Sequence, residues 1–310
     1  MDARDRQGQT ELSLITGTDV VDDSGTLGDL YFKEMAKTTF DVIGQRGPEE
    51  TNVLNMATDA MLAETDALGI PVHAAIEARG TVRADIRKGA TGSVAFADLF
   101  RVFPLGQNPV DGSIGYPLVR AYIWTAELKA ALELAVSRGR ADTDFYLGVG
   151  GIHVEYDLSR DPQVLTSITD AINPENGRIT KITLDTNHAD GYDSDDAVIF
   201  DLSQGAGAWV SDPNHVGLDL HPVVSSLYVA SFASAAGATL KDIGGVANPD
   251  ITAFIVKRSD QTAVKEFENF VSYVHGQSQA NGGFLPDRYD ETTAAGALPR
   301  RLKCVGTACP

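Results

Sequence analysis

Three stretches of the chain repeat apolar side chains every three or four residues, which places them on one face of an α-helix. The first begins after Glu50 and contains Val53, Met56, Ala57, Ala60 and Met61. The second contains Leu128, Ala131, Leu132, Ala135 and Val136, and the third, 263–275, contains Val264, Phe267, Val271 and Val274. In the second, Thr125 is placed to cap the start and Gly139 to end the helix. These patterns predict three amphipathic helices, with a shorter helix-like stretch at 27–40.

Short runs rich in β-branched and aromatic residues lie between these helices and predict β-strands. They are 118–124, 151–156, 178–184, 197–202, 222–230 and 252–256. Helices and strands interleave without a regular strand–helix–strand period, and no internal repeat is found. The sequence therefore predicts a layered α/β (α+β) fold.

Composition and charge narrow the classes of partner. The chain has 310 residues, of which 43% are hydrophobic, so it can bury a sizeable core. Its net charge of −18 argues against a nucleic-acid partner, because phosphate backbones need a basic surface. It contains no run of about 18 apolar residues, so we expect no membrane span.

Two cysteines, Cys304 and Cys309, are five positions apart near the end of the sequence. No histidine nearby completes a metal site, and the spacing fits a small disulfide loop. A disulfide favours an extracytoplasmic location, periplasmic or secreted. Free thiols are the alternative. The sequence after Met1 has no apolar signal segment, which fits either a cytosolic protein or a mature secreted one.

No motif predicts a self-contained catalytic centre, since the serine-nucleophile elbow, the phosphate-binding loop and the helical zinc-protease motif are all missing. The glycines of 148–151 lack the third glycine of a dinucleotide-binding turn. The six histidines are separated along the chain and are interpreted as structural. An acidic loop offers oxygen ligands to calcium, out of the EF-hand register, from Asp185, Asn187, Asp190, Asp193, Asp195 and Asp196. A solvated acidic loop is the alternative.

Ligand-binding residues are more plausible candidates than catalytic ones. Arg79, Arg83 and Arg87 fall within ten residues of one another and can donate paired hydrogen bonds to an anionic or polar ligand. Exposed tyrosines can stack on a nucleobase. Ordinary salt bridges and core tyrosines are the alternatives for these residues.

Four segments, read in order, form a more specific pattern. They are E-T-N-V-L-N-M-A-T-D-A-M at 50–61, G-T-V-R at 80–83, F-R-V-F-P-L-G at 100–106 followed by T-A-E-L-K at 125–129, and L-x-V-G-G-I-H-V-x-Y-D-L-S-R at 147–160. Their order and spacing resemble the C-terminal, substrate-binding domain of the 5'-nucleotidase and bifunctional UDP-sugar hydrolase family. The resemblance implies a layered α/β/β/α domain over 48–280 with an insertion at about 185–217. A lead-in segment, 1–47, precedes it, and an irregular tail with the disulfide, 281–310, follows.

The resemblance also implies a function in nucleotide catabolism. In that family the C-terminal domain holds the nucleoside, and a separate N-terminal metallophosphoesterase domain binds two divalent metals and hydrolyses the phosphomonoester. The motifs of that catalytic domain, D-x-H, G-D-x-x-D, G-N-H-E and G-H-x-H, are not in this sequence. We therefore expect this chain alone to be inactive, to have no cofactor of its own, and to recognise a nucleoside or nucleotide.

Family members hold the base between two aromatic rings, and the matched positions here are Tyr146 and Tyr228. Arg83 matches the arginine of the family's G-G-I-R turn, with Arg79 beside it. Two departures concern the same site: Ala78 and Arg79 replace an asparagine and a glycine, and S-F-A-S at 231–234 replaces a G-G-D-G loop. They leave open a second hypothesis, a non-catalytic extracellular binding or structural module with a decayed nucleotide site and an acidic face for calcium or a protein.

Overall fold

The structure, a computed structural model, describes residues 32–44, 50–139, 141–164, 170, 172–185, 196–210, 217–235 and 239–309. Its main elements are, in chain order, β1 (Glu34–Lys37), α1 (Asn52–Ala67), β2 (Ala74–Ala78), β3 (Ser93–Ala95), α2 (Phe96–Phe100), β4 (Leu118–Trp124), α3 (Thr125–Arg138), β5 (Leu147–Gly150), β6 (Ile152–Tyr156), β7 (Ile179–Leu184), β8 (Ala197–Asp201), β9 (Leu220–Ser226), α4 (Leu227–Ala235), α5 (Glu266–Ala280) and β10 (Leu302–Cys304). Short 3-10 turns connect several of them: Arg79–Thr81, Thr143–Phe145, Leu202–Gly207, Ile251–Phe254 and Asp287–Tyr289. Within these ranges, no helix combines the length and the apolar character that crossing a bilayer requires.

Two four-stranded sheets form the centre of the molecule. The first has the order β4-β9-β2-β5, in which β9 and β2 are parallel and both outer pairs are antiparallel. The second has the order β10-β6-β7-β8, in which β10 runs parallel to β6 and the other pairs are antiparallel. A separate antiparallel pair joins β1 to β3.

The first sheet separates two apolar layers, because successive side chains of a strand point to opposite faces. Ala74 and Ile76 face a core that is shared with the second sheet and with α3. Ala75, between them, points to the other face, where it packs in a cluster with Met61 of α1 and Val224 of β9. The opposite side of α1 packs with α5 and the β1–β3 pair in a third cluster. The predicted α/β fold is confirmed.

A buried polar network fastens the C-terminal segment to the start of α1. The carboxylate Oε2 of Glu50 accepts three successive backbone N–H groups, those of Arg300, Arg301 and Leu302, at 2.8, 3.0 and 3.1 Å. Its Oε1 accepts the side-chain amide of Asn55 at 2.8 Å. One carboxylate thus satisfies the backbone that leads into β10.

Two further residues of the 50–61 motif extend this network. Asn52 donates its side-chain amide to the carbonyl of Gly296 at 3.0 Å, and Asp59 accepts Nη2 of Arg301 at 2.5 Å. Burial acts to raise the pKa of Asp59, but the charges of Arg301 and Arg288 outweigh it and lower that pKa below its ordinary value. We call Glu50, Asn52, Asn55, Asp59 and Arg301 the clasp.

The predicted disulfide between Cys304 and Cys309 is present and lies at the end of β10. The stretch that was expected to be an irregular tail contains few regular elements, yet it is packed into the molecule. Tyr289 is completely buried, and its hydroxyl donates to Asp59 at 2.6 Å. The C-terminal segment is therefore part of the folded unit.

The helix predicted over 27–40 is wrong beyond Phe32, which is helical, and 27–31 lie outside the described residues. Residues Glu34–Lys37 form β1, which pairs with β3 some sixty positions later. Met35 and Ala36 are 1% and 3% exposed, so both faces of this short strand are covered. Long-range pairing overrides the local helical pattern here. The cap prediction is also wrong: Thr125 is the first residue of α3, while Gly139 ends the helix as expected.

Two predicted strands also differ from the structure. The run 222–230 is a strand only as far as Ser226, because the N–H of Leu227 then donates to the carbonyl of Pro117 and α4 begins. The run 252–256 is largely a 3-10 turn, closed by the carboxylate of Asp250, which accepts the N–H of Thr252 at 3.0 Å. The first difference matters for function, because it moves Tyr228 from a strand to the first turn of a helix.

Candidate functional site

Four segments meet at one edge of the first sheet. Because β2 and β9 are parallel, the turn Arg79–Thr81 after β2 and the start of α4 after β9 lie at the same edge. Ala78 pairs with Leu147, which brings the turn Thr143–Phe145 to this edge as well. Leu118 pairs with Ser226, so the segment before β4 arrives beside α4. The carboxyl ends of parallel strands are common ligand sites in α/β proteins.

Tyr228, on the first turn of α4, presents an aromatic ring at this edge. Its side chain is 39% exposed, and its ring centroid is 5.8 Å from that of Tyr116, with the planes tilted by 44°. The ring of Tyr116 lies against Gly106, where an added Cβ would be 2.3 Å from it. Gly106 also has a φ of 93°, so two requirements favour glycine there. Nothing in the sequence pattern identified Tyr116 as part of a site.

A second aromatic pair lies one helical turn further along α4. Phe232 is 42% exposed, and its ring is 5.5 Å from that of Phe145 in an edge-on arrangement. Side chains four apart on a helix share a face, so Tyr228 and Phe232 lie on the same face of α4. Exposed apolar groups on one face of a protein often mark a binding site.

Tyr146, the other aromatic residue predicted for the site, has its ring in the core. It is 3% exposed and packs against Gly139, where an added Cβ would be 2.5 Å from the ring. Its backbone carbonyl accepts the N–H of Arg79 at 2.8 Å. Tyr146 therefore supports the turn that bears the arginines.

The three predicted arginines have different surroundings. Arg79 is 8% exposed and donates Nε to the carbonyl of Gly44 at 3.1 Å. Arg83 has an exposed side chain, and its backbone N–H donates to Val102 at 2.8 Å. Arg87 forms ion pairs with Asp41, at 2.8 Å, and with Asp85. Of the three, Arg83 is the one whose guanidinium faces solvent without a carboxylate described beside it.

Glu77, at 0% exposure, lies beneath this edge and links its segments. Its Oε1 accepts the N–H of Ala78 at 2.8 Å, the hydroxyl of Thr81 at 3.0 Å and the hydroxyl of Ser226 at 3.1 Å. Its Oε2 accepts the N–H of Ser226 at 3.3 Å. The turn after β2 and the junction between β9 and α4 are thus held by one side chain.

Two histidines that are far apart in sequence meet at the opposite end of the same sheet. Nδ1 of His73 is 3.2 Å from Nδ1 of His221, and Nε2 of His221 is 2.9 Å from the hydroxyl of Thr125. Burial, and then the charge of His73, lower the pKa of His221 to about 4. His221 therefore stays neutral well into the acid range. Sequence separation had suggested that all the histidines were isolated.

The calcium candidates fall mostly outside the described residues. Asn187, Asp190, Asp193 and Asp195 lie there, whereas Asp185 is 6% exposed, with a carboxylate oxygen 3.9 Å from Nε2 of His153. Over the described ranges, no three His, Cys, Asp or Glu side chains are grouped so as to hold a metal ion.

Comparisons with known proteins agree with this architecture. The model of the family "5'-nucleotidase, C-terminal domain" matches residues 34–193, just over half of the chain. Human 5'-nucleotidase is 35% identical over 118 residues, which cover 36% of this chain and 19% of the human protein.

One solved structure supports the same fold. A 5'-nucleotidase precursor from Thermus thermophilus superposes with a TM-score of 0.56 at 19% identity, covering 91% of this chain and 41% of that one. The NAD nucleotidase of Haemophilus influenzae gives a TM-score of 0.49 at 14% identity, covering 90% and 39% of the two chains. The chain thus spans less than half the length of the relatives that it matches.

Proposed function

Because the chain belongs to the 5'-nucleotidase C-terminal domain family, we propose that it binds a nucleoside or nucleotide at the edge of the sheet where Tyr116 and Tyr228 meet. The base stacks on the exposed ring of Tyr228, with Tyr116 behind it. Arg83 offers an exposed guanidinium to the polar part of the ligand, and the buried Arg79 and Tyr146 support the turn that leads to it.

The observation that carries this proposal is the position of Tyr228. Its ring is 39% exposed, yet it is fixed by a neighbouring ring and by the start of a helix at the end of two parallel strands. A rigid, exposed aromatic face provides a stacking contact with little loss of side-chain freedom on binding. Stacking of a base on such a ring contributes about 1–3 kcal/mol.

Phosphomonoester hydrolysis is assigned in this proposal to a metallophosphoesterase domain with two divalent metals. This chain would then position the phosphate ester for the chemistry by binding the rest of the molecule. Incubation of the chain with AMP and a divalent metal should release no phosphate. Measurable release of phosphate would contradict the assignment of hydrolysis to a separate domain and would require a catalytic site on this chain.

An extracytoplasmic location belongs to the same proposal. The disulfide between Cys304 and Cys309 supports it, because such bonds persist in oxidising compartments and are rare in the cytosol.

The test is calorimetric titration of adenosine into the wild type and into Tyr228→Ala. We expect the dissociation constant to rise at least about tenfold in the variant, the effect of one lost stacking contact. The matched control is Phe284→Ala, since Phe284 is an aromatic residue of similar exposure, 43%, on a segment away from this edge. Absence of binding by the wild type, or equal loss in both variants, would overturn the proposal.

A further inference from the structure

A cleft lies beside β4, at the outer edge of the first sheet. β4 is the last strand of that sheet, and two later parts of the chain pair with its free side, Ile255 with Val119 and Lys241 with Tyr122. The segment 242–254 joins these two contacts, and beside it lies a space of about 630 Å³. Small-molecule sites are commonly clefts of about 300–1,000 Å³. The walls of this β4 cleft include Ile70, Arg120, Tyr122, Ile243, Phe254 and Lys257.

The β4 cleft is separate from the proposed nucleotide site. Val119 and Ala121 belong to the core that the two sheets share, so Arg120 and Tyr122, which alternate with them, point to the other face of β4. Tyr122 is four positions along β4 from the end that reaches the proposed nucleotide site, a span of about 13 Å at the rise of a strand. No ring or arginine of the nucleotide site lines the cleft.

The charged side chains of the cleft differ in balance from those of the chain as a whole. Three of them are cations and one is a carboxylate, whereas the chain has a net charge of −18. They are Arg120, Lys241, Lys257 and Asp242. A cleft that concentrates positive charge on an acidic protein favours an anionic ligand over a cationic one.

Two of these four groups are already engaged by the protein. Oδ1 of Asp242 accepts the backbone N–H groups of positions 244 and 246, both at 2.9 Å, and so closes its own loop. The ammonium of Lys241 donates to both carboxylate oxygens of Glu127, at 2.8 and 2.7 Å, and to a backbone carbonyl at 2.6 Å. Among the described residues, no carboxylate pairs with Arg120 or Lys257. These two cations are therefore the ones that can meet a ligand.

Arg120 is held in position by the protein itself. Its Nε and Nη2 donate to the carbonyl of Pro71 at 3.3 and 3.0 Å, and Nη2 also donates to the hydroxyl of Tyr122 at 2.7 Å. The guanidinium carbon lies 4.2 Å from the centre of the Tyr122 ring, a cation–π contact. A guanidinium has five N–H donors, so the two on Nη1 remain for the oxygens of an anion. A cation that is fixed in advance loses little freedom on binding.

Apolar side chains form much of the remaining wall. Ile70 and Phe254 are partly buried and pack against the apolar clusters on the two sides of the sheet. Ile243 is 76% exposed at the rim of the cleft, and Val246 on the same loop is 64% exposed. Exposed apolar residues beside a cleft often mark a binding site. A ligand that fits both kinds of wall has an anionic group and an apolar body.

We propose that the β4 cleft is a second ligand site, which binds a small organic anion. The carboxylate, sulfonate or phosphate group of this ligand meets Arg120 and Lys257, and its apolar body lies against Ile70, Ile243 and Phe254. An uncharged ligand would leave the guanidinium donors without acceptors, and an inorganic anion would leave the apolar wall in water. This inference does not depend on the nucleotide site, because the two sites share no side chain.

The test is fluorescence titration with anilinonaphthalene sulfonate, an aromatic anion whose emission rises when its rings leave water. In the double variant Arg120→Gln, Lys257→Gln we expect its dissociation constant to rise at least about tenfold, the loss of one hydrogen bond to a charged group. The matched control is Lys37→Gln, Lys303→Gln, which removes two exposed cations paired with glutamates elsewhere and should keep the wild-type constant. Absence of binding by the wild type, an unchanged constant in the cleft variant, or equal loss in both double variants would overturn the proposal.

Two further ligands separate the parts of the recognition. Phenylnaphthylamine has the same aromatic body without the sulfonate and should bind the wild type at least about tenfold more weakly. Inorganic sulfate at constant ionic strength should not displace the aromatic sulfonate at an equal concentration. Equal affinity for the two aromatic probes, or displacement by sulfate, would overturn the proposal, because the cleft would then not require both an anionic group and an apolar body.

Adenosine and a single variant keep the result interpretable. Adenosine should not displace the sulfonate, and displacement would place the probe at the nucleotide site and overturn the proposal for the cleft. Absence of adenosine binding, with the sulfonate bound as expected, would refute the nucleotide site alone. If the double variant fails to fold, Lys257→Gln, which changes only an exposed side chain, should weaken sulfonate binding at least about threefold. An unchanged constant in that variant would overturn the proposal.

Discussion

The clasp and the aromatic edge, the end of the first sheet where Tyr228 and Phe232 lie, use their side chains in opposite ways. In the clasp, Glu50, Asn55 and Asp59 are turned inward, and their polar atoms bond to the backbone and guanidinium of the C-terminal segment. At the aromatic edge, Tyr228 and Phe232 face outward with 39% and 42% of their surface exposed. The clasp holds the C-terminal segment against α1, whereas the aromatic edge leaves two rings exposed to solvent.

This difference explains why the resemblance identifies the architecture better than the ligand. Buried polar residues with several partners cannot be replaced singly without leaving an unsatisfied group, which costs about 1–3 kcal/mol. Exposed aromatic residues can change with the ligand at little cost to the fold. The substitutions Ala78 and Arg79 and the helix in place of the G-G-D-G loop are all at the aromatic edge.

Removal of the negative charge of Asp59 from the clasp should have the largest effect on stability. Asp59→Ala leaves the guanidinium of Arg301, 8% exposed, without its carboxylate. We expect a loss of about 3–5 kcal/mol in the free energy of unfolding, measured by urea denaturation. Lys303→Ala removes an exposed ion pair with Glu155 from the same segment and should cost less than about 1 kcal/mol. Equal effects in the two variants would mean that Asp59 is not part of a closed buried network.

The disulfide at the end of β10 stabilises the C-terminal segment and lies outside the aromatic edge. Replacement of Cys304 and Cys309 together by serine opens a loop of five positions. The chain-entropy estimate for so short a loop is a loss of about 2 kcal/mol in stability. Adenosine affinity at a temperature where both proteins are folded should be the same. A change in affinity would show that the two regions are coupled.

The smallest expected effect concerns the histidine pair at the end of the first sheet opposite to the aromatic edge. A pKa lowered to about 4 means that folding opposes protonation of His221, so its contribution to stability is present above the ordinary value of 6.5 and is lost as the pH falls toward 4. Relative to wild type, His221→Gln should gain about 1–2 kcal/mol between pH 7 and pH 5 in denaturation experiments. A constant difference between the two proteins would contradict this account.

The parts of the fold that could be predicted from sequence are those determined by local periodicity. The helix α1 and the strands β4, β6 and β7 follow directly from alternating or three-to-four spacing of buried residues. The strand β1 was missed because its partner, β3, lies far along the chain. The helix α4 was interpreted as a strand because Leu227 to Ala230 continue the apolar pattern of β9, and the bond from Ser226 to Glu77 is invisible in the sequence.

In the candidate site, too, some residues could be predicted from the sequence and others could not. Tyr228 and Arg83 could be selected because they match positions in a family pattern. Tyr116 could not, since its role depends on contact with a residue more than a hundred positions away, Tyr228. The sequence predicts Tyr146 as one of two rings that hold the base and does not show that Gly139, without a side chain, leaves room for this ring in the core.

The contact between Glu50 and the C-terminal segment has a consequence for how this protein tolerates change. Within residues 300–302, the hydrogen bonds that Glu50 accepts come from three successive backbone amides. Glu50 therefore fixes the register of the segment while leaving most of its amino-acid identities unconstrained. Point substitutions at Arg300 or Leu302 keep the amides in place, whereas deletion of one residue between Gly296 and Arg300 shifts Arg301 away from Asp59 and β10 out of step with β6. The C-terminal segment therefore tolerates the replacement of single side chains but not a change in the number of its residues.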